Sequence, residues 1–157
     1  MISKVAEKMI AERQDKFLIP AEIVANVQEN NRLDHAFLVL TKAKYSKIPV
    51  LDSEQHFKGL LSLAMITDTM LGLNGIDPSN LHRYTVADVM QTNVPTIQLP
   101  YDIEDILHLS VDHPFLVVTT ADQTFTGIVT RREVLKGVNH MVHELNNRYE
   151  ICEKHKH

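Results

Sequence analysis

The sequence predicts a mixed α/β (α+β) fold in which one unit of strand, helix, strand, turn, strand and helix occurs twice. Three observations carry this. Gly59 and Gly127 stand 68 residues apart, and so do Phe57 and Phe125, and Val50 and Val118. A repeat at fixed spacing is the first feature to seek in a chain, because it sets the architecture. Short β-branched runs alternate with apolar residues at helical spacing, the β-α-β-β-α order in each copy. Between the copies lies Gly72 to Tyr84, with Gly75, Asp77-Pro78 and Ser79, the best linker in the chain. Two copies that each expose an apolar sheet face are expected to bury those faces against each other.

In chain order, residues 3 to about 14 read as a helix capped by Ser3, with Val5, Met9 and Ile10 as its apolar stripe. Phe17-Leu18-Ile19 stops at Pro20, a loop or edge signal. Ile23 to Val27 is a strand candidate. Asn30 or Asn31 is the expected cap of a helix whose Leu33, Ala36, Phe37 and Leu40 keep the 3.6-residue spacing. Ile48 to Leu51 is a strand with Pro49 near its start, Asp52 to His56 a polar turn, and Phe57 to Ser62 the returning strand. Leu63 to Leu71 is a helix closed by Gly72.

The second copy replays this order. Thr85 to Met90 is a helical turn that precedes it. Pro95 to Leu99 is a strand, and Asp102 caps a helix carrying Ile103, Ile106, Leu107 and Val111. Phe115 to Val118 is a buried strand, Thr120 to Thr124 a turn, and Phe125 to Val129 the returning strand. A last helix runs from Arg131 to about Arg148. The resulting organisation is an N-terminal helix over 1–16, a first repeat over 17–72, a linker over 73–84, a second repeat over 85–150 and a tail over 151–157.

The 157 residues carry a formal net charge of −4, with 44% apolar and 23% charged residues. No basic stripe marks a nucleic-acid binder. The single cysteine, Cys152, forms no internal disulfide, which suits a reducing cytoplasm. No apolar run approaches the roughly 20 residues that cross a bilayer.

Arg131 and Arg132 stand out chemically. They open a helix, where partial positive charge already disfavours cations by about 0.3–1 kcal/mol each unless an anion binds. The matching residues of the first copy are Leu63 and Ala64, and Met65 stands at the Glu133 position, so the two clefts are expected to be unequal. Thr130-Arg131-Arg132-Glu133 is also a capping box, so Thr130 and Glu133 have a purely structural reading of equal weight. Tyr45 is either a stacking surface or a half-buried packing residue. His140, His143 and Glu144 share a helix face, but no further clustered ligand supports a metal site, and a metal-dependent hydrolase is the remote reading. No nucleophile elbow and no glycine-rich phosphate loop is present.

The sequence resembles the tandem cystathionine β-synthase (CBS) domain pair, the Bateman module. The residues that carry this are Tyr45-Ser46-Lys47-Ile48-Pro49-Val50-Leu51-Asp52 with Phe57-Lys58-Gly59-Leu60-Leu61-Ser62, and Phe115-Leu116-Val117-Val118 with Phe125 to Glu133. Val117 stands where the second copy has lost the family's proline. Over Val24 to Gln28, His35 to Lys42, Tyr45 to Asp52 and Thr130 to Arg132 the chain is most similar to small bacterial CBS-pair proteins that bind cyclic di-AMP. The resemblance implies a non-enzymatic nucleotide sensor in the cytoplasm, a homodimer without cofactor or metal, with cyclic di-AMP as ligand and AMP or ATP as alternatives. A dimerisation module that binds nothing is the other open class. The resemblance further implies a partner protein, such as an alarmone synthetase or a metabolic enzyme, and no nucleic acid or membrane. The ligand residues it implies are Ile23, Ala25, Tyr45, Ser46, Lys47, Pro49, Thr130, Arg131, Arg132 and Glu133. Ile23 departs from the basic or polar residue expected there in that subgroup.

Overall fold

The structure, a computed structural model, describes residues 1–43 and 45–155. Lys156 and His157 of the expected tail lie outside the described residues. The helices are α1 (Lys4–Ala11), α2 (Leu33–Lys42), α3 (Leu63–Met70), α4 (Val86–Val89), α5 (Ile103–Asp112) and α6 (Arg131–Arg148). The strands are β1 (Leu18–Pro20), β2 (Val27–Gln28), β3 (Lys47–Leu51), β4 (Phe57–Ser62), β5 (Leu71–Gly72), β6 (Gly75–Ile76), β7 (Thr96–Ile97), β8 (Phe115–Thr119) and β9 (Phe125–Thr130). The expected order therefore occurs twice, as β2-α2-β3-β4-α3 and β7-α5-β8-β9-α6.

In space the chain forms two compact units that do not follow chain order. One comprises Met1–Ile19, Pro100–Leu116 and Val129–His157, the other Pro20–Leu99 and Val117–Ile128. The larger unit holds a sheet of order β2-β3-β4. β2 pairs in parallel with β3, Val27 opposite Val50, and β3 pairs antiparallel with β4, Pro49 opposite Leu60 and Val50 opposite Gly59. Its core joins Val27, Leu33, Ala36, Leu40, Ile48, Val50, Leu61, Ile66 and Val86. β7 pairs in parallel with β8, Thr96 opposite Val117.

Four local expectations are corrected. The strand expected over Ile23 to Val27 shrinks to Val27–Gln28, because a 3-10 turn over Ala21–Ile23 follows Pro20. Asn31 does not cap α2. Its Oδ1 accepts from the Gln28 N–H at 2.9 Å, and the Leu33 N–H is satisfied by the Tyr84 carbonyl at 3.2 Å. Gly72 does not close α3, which ends at Met70 as the chain turns extended at Leu71 and enters the β5–β6 hairpin. The expected linker is thus partly ordered, with a further 3-10 helix over Pro78–His82 capped by Asp77.

Both hairpin turns repeat in detail. Gln55 and Gln123, 68 residues apart, adopt the left-handed region at φ 68° and 70°. The Phe57 N–H donates to the Gln123 carbonyl at 2.8 Å, and the Phe125 N–H to the Gln55 carbonyl at 2.9 Å.

In the smaller unit α1 packs on α5 and α6. Phe17 is buried and its ring faces Gly137, where an added Cβ lies 3.1 Å from the ring edge. Glu12 closes the other end of this contact. Its carboxylate accepts from His140 Nε2 at 3.0 Å and from Arg148 Nη1 at 2.5 Å. These hydrogen bonds hold the Glu12 carboxyl below its ordinary value of 4.5. Glu12 stays ionised in the fold where the unfolded chain has taken up the proton. Its contribution is complete above that ordinary value and is lost as pH falls through the lower value in the fold. Glu12→Gln should therefore flatten the acid limb of the melting-temperature profile while lowering the plateau. Melts from pH 3 to pH 7 measure this, and parallel curves for the two proteins would count against it.

Candidate functional site

The expected site residues fall into two groups, one in each unit. In the larger unit, β3 begins at Lys47 and brings Tyr45, Ser46 and Lys47 to the wall of one cavity of about 500 Å³. Ser62, Leu63 and Ala64, at the start of α3, form the facing wall with Leu40 and Ala43. Tyr45 is half-buried, Ser46 exposed and Lys47 half-buried. Pro49 lies two residues deeper, buried, and sets the strand opposite Leu60. Ile23 ends its 3-10 turn 73% exposed, and Ala25 is exposed in the extended stretch before β2. The Val24 carbonyl accepts from Asn26 Nδ2 at 3.1 Å.

Lys47 is not loose in this cavity. Its ammonium donates to Gln91 Oε1 at 3.2 Å. Sequence reasoning missed Gln91, because 44 residues separate the pair and no spacing announces it.

The connection before β3 also distinguishes the copies. α2 and α5 are 70 residues apart, whereas β3 and β8 are 68 apart. The first copy therefore spends two residues more between helix and strand. Ala43 to Ser46 stand where the second copy has only His113-Pro114. This longer stretch contains Tyr45 and Ser46.

In the smaller unit, Thr130 to Glu133 open α6. Thr130 is buried, and its Oγ1 accepts from the Glu133 N–H at 3.3 Å. Ser62 does the same for the Met65 N–H at 3.2 Å in the first copy. The Glu133 carboxylate accepts from Lys136 Nζ at 2.9 Å. At the start of α4 the Asp88 carboxylate reaches back to accept from the Thr85 N–H at 2.9 Å.

The electrostatic conflict expected of Arg131 is answered inside the chain. Its Nε donates to the Ser110 carbonyl at 2.7 Å and its Nη2 to the Val111 carbonyl at 3.3 Å. Those carbonyls lie in the last turn of α5, at the negative end of that helix. The Arg131 N–H donates to the Pro114 carbonyl at 2.9 Å. Of the first three N–H groups of α6, only that of Arg132 lacks a partner among the described residues. The Arg132 side chain is exposed and enters no ion pair among them. A surface groove of about 480 Å³ is lined by Arg131, Arg132, Leu135, Lys136 and Asn139. Lys136 was findable, since it stands four residues after Arg132 and so shares its helix face.

His140 is committed to Glu12, and among the described residues no group of three or more side chains is arranged to hold a metal ion. No helix among them is long and apolar enough to cross a membrane.

Residues 86–140 match the CBS domain family model. This stretch is the second copy, the one without the proline. The chain is 38% identical over 146 residues to the cyclic di-AMP receptor B of Bacillus subtilis (strain 168), covering 93% of this chain and 99% of that protein. The crystal structure of Listeria monocytogenes CbpB protein in complex with c-di-AMP superposes with a TM-score of 0.76. It is 53% identical and covers 82% of this chain and 96% of its own. CbpB from Streptococcus agalactiae gives a TM-score of 0.82 at 29% identity, covering 98% of this chain and 96% of its own. With the β-α-β-β-α unit present twice, a family model on the second copy and a relative matched along nearly its whole length, the chain belongs to the tandem CBS-domain (Bateman) proteins, the family of cyclic di-AMP receptor B.

Proposed function

We propose that this protein is a non-enzymatic cytoplasmic sensor of cyclic di-AMP that signals to a partner protein. The observation that carries the reading is the convergence of Tyr45, Ser46 and Lys47 on one cavity of the larger unit. An aromatic face, a hydroxyl and an ammonium are what an adenine nucleotide needs for base, sugar and phosphate. Relatives at 38% and 53% identity, one named a cyclic di-AMP receptor and one crystallised with c-di-AMP, support it. Within the larger unit the proposed contacts are Ile23, Ala25, Tyr45, Ser46, Lys47 and Pro49. Within the smaller unit they are Thr130, Arg131, Arg132 and Glu133, with Arg132 the principal phosphate ligand. The repeat boundaries at 17–72 and 85–150, the linker at 73–84 and a homodimeric state belong to the same proposal. Binding shifts the protein between states that engage and release its partner, an alarmone synthetase or a metabolic enzyme.

Calorimetry of the purified protein with cyclic di-AMP, AMP and ATP tests the ligand. The expected result is saturable binding of cyclic di-AMP, tighter than that of either mononucleotide, with the ligand recovered unchanged. A ligand held by the native state must also raise the melting temperature with concentration. Absence of heat and of thermal shift with cyclic di-AMP overturns the reading, and preference for AMP or ATP reassigns the ligand.

A further inference from the structure

We infer that Gln91 is a positioning residue for nucleotide binding, whose neutral amide aims the Lys47 ammonium in its cavity without cancelling its charge. The inference rests on the proposed function. Lysine is a poor fixed point by itself, since its charge rides on a flexible four-carbon stem. Here Gln91 Oε1 accepts from Lys47 Nζ at 3.2 Å. The amide's other end, Nε2, faces the Asn93 carbonyl at 3.5 Å, so the two partners agree on which end points at Lys47. The backbone beneath is pinned in both directions. The Leu60 N–H donates to the Gln91 carbonyl at 2.9 Å, and the Gln91 N–H to the Leu60 carbonyl at 2.8 Å. Gly59 permits that approach, since a Cβ there sits 2.4 Å from the Gln91 carbonyl oxygen.

The choice of an amide matters. An ammonium carries three donors, and one bond to Gln91 leaves two for a phosphate. A carboxylate in the same place holds Lys47 equally well but neutralises it. An aimed, uncompensated cation loses less freedom on binding than a free one.

The test is calorimetry of cyclic di-AMP against the wild type, Gln91→Met, Gln91→Glu, Lys47→Met and the double variant Lys47→Met/Gln91→Met, each with its melting temperature. Gln91→Met keeps the length and removes the acceptor. It should weaken binding about tenfold, the size of one ordinary hydrogen bond to a charged group. Gln91→Glu should weaken it further, despite preserving the bond. In the Lys47→Met background the Gln91→Met change should have no further effect, a coupling that a merely structural role of Gln91 does not produce. Melting temperatures should stay at the wild-type value for Gln91→Glu. Equal losses with and without Lys47, or unchanged affinity in Gln91→Glu, overturn the inference while leaving the sensor reading intact. A wild type that binds no cyclic di-AMP removes the sensor reading itself, and the inference with it.

Discussion

Gly59→Ala should lower the melting temperature by about 9 °C. The methyl group meets the backbone oxygen of Gln91 at 2.4 Å, a separation that real Cβ atoms do not tolerate. Backbone cannot step aside as a flexible side chain does. The segment after α4 must move, breaking the two hydrogen bonds between Leu60 and Gln91. Overpacking of this kind costs about 3 kcal/mol, and a domain of this size loses about 3 °C per kcal/mol. Gly72→Ala is the control, because its Cβ meets nothing nearer than the Gly75 carbonyl oxygen at 3.9 Å. Circular-dichroism melts of the two variants measure the contrast. Matching melting temperatures would show that the contact between β4 and the Gln91 segment is slack.

The two neighbouring arginines should differ in their larger effect, Arg131 on the stability of the fold and Arg132 on ligand affinity. Arg131→Ala removes the donors that serve the Ser110 and Val111 carbonyls and should destabilise the fold by about 2 kcal/mol, within the range for hydrogen bonds to charged groups. Arg132→Ala breaks no bond among the described residues and should leave the melting temperature unchanged. On the proposed function it should weaken cyclic di-AMP by about tenfold or more, as loss of a charged phosphate contact does. Denaturant unfolding and calorimetry on both variants read the two effects. A stable Arg131→Ala protein, or an Arg132→Ala protein with full affinity, would reverse the assignment. In the sequence both arginines carry the same unfavourable position at a helix start, whose relief on removal favours stability. The helix that absorbs the Arg131 charge is distant in the chain, so only the fold reveals it.

That contrast marks what the sequence could carry. β4 and α6 run as expected from Phe57 to Ser62 and from Arg131 to Arg148, because alternation, turn residues and an N-cap are local properties. Ser62 and Thr130 show their capping role in the same way. β2 came out shorter because a strand needs a partner, and only Val27 and Gln28 have one. The two-residue excess before β3 was invisible because the repeat was anchored on Gly59 and Gly127, which lie after it. Gln91 was invisible for the same reason as the α5 carbonyls. Its partner is set by three-dimensional approach, and nothing in a run of residues encodes the meeting of Lys47 with a side chain beyond the linker.

The hairpin tips carry one more consequence. Gln55 serves Phe125 as Gln123 serves Phe57, and His56 bridges Thr124, its own counterpart 68 residues on. A contact in which i meets j while j meets i is the mark of a twofold interface between identical subunits. Here both subunits are halves of one chain. The two hairpin tips meet within one unit as the two sides of such an interface do, and the linker keeps them together at an effective concentration that dilution cannot lower. Among the described residues, the two hydrogen bonds between the tips are main-chain. His56 and Thr124 can carry different side chains because the tips are joined through backbone N–H and C=O groups.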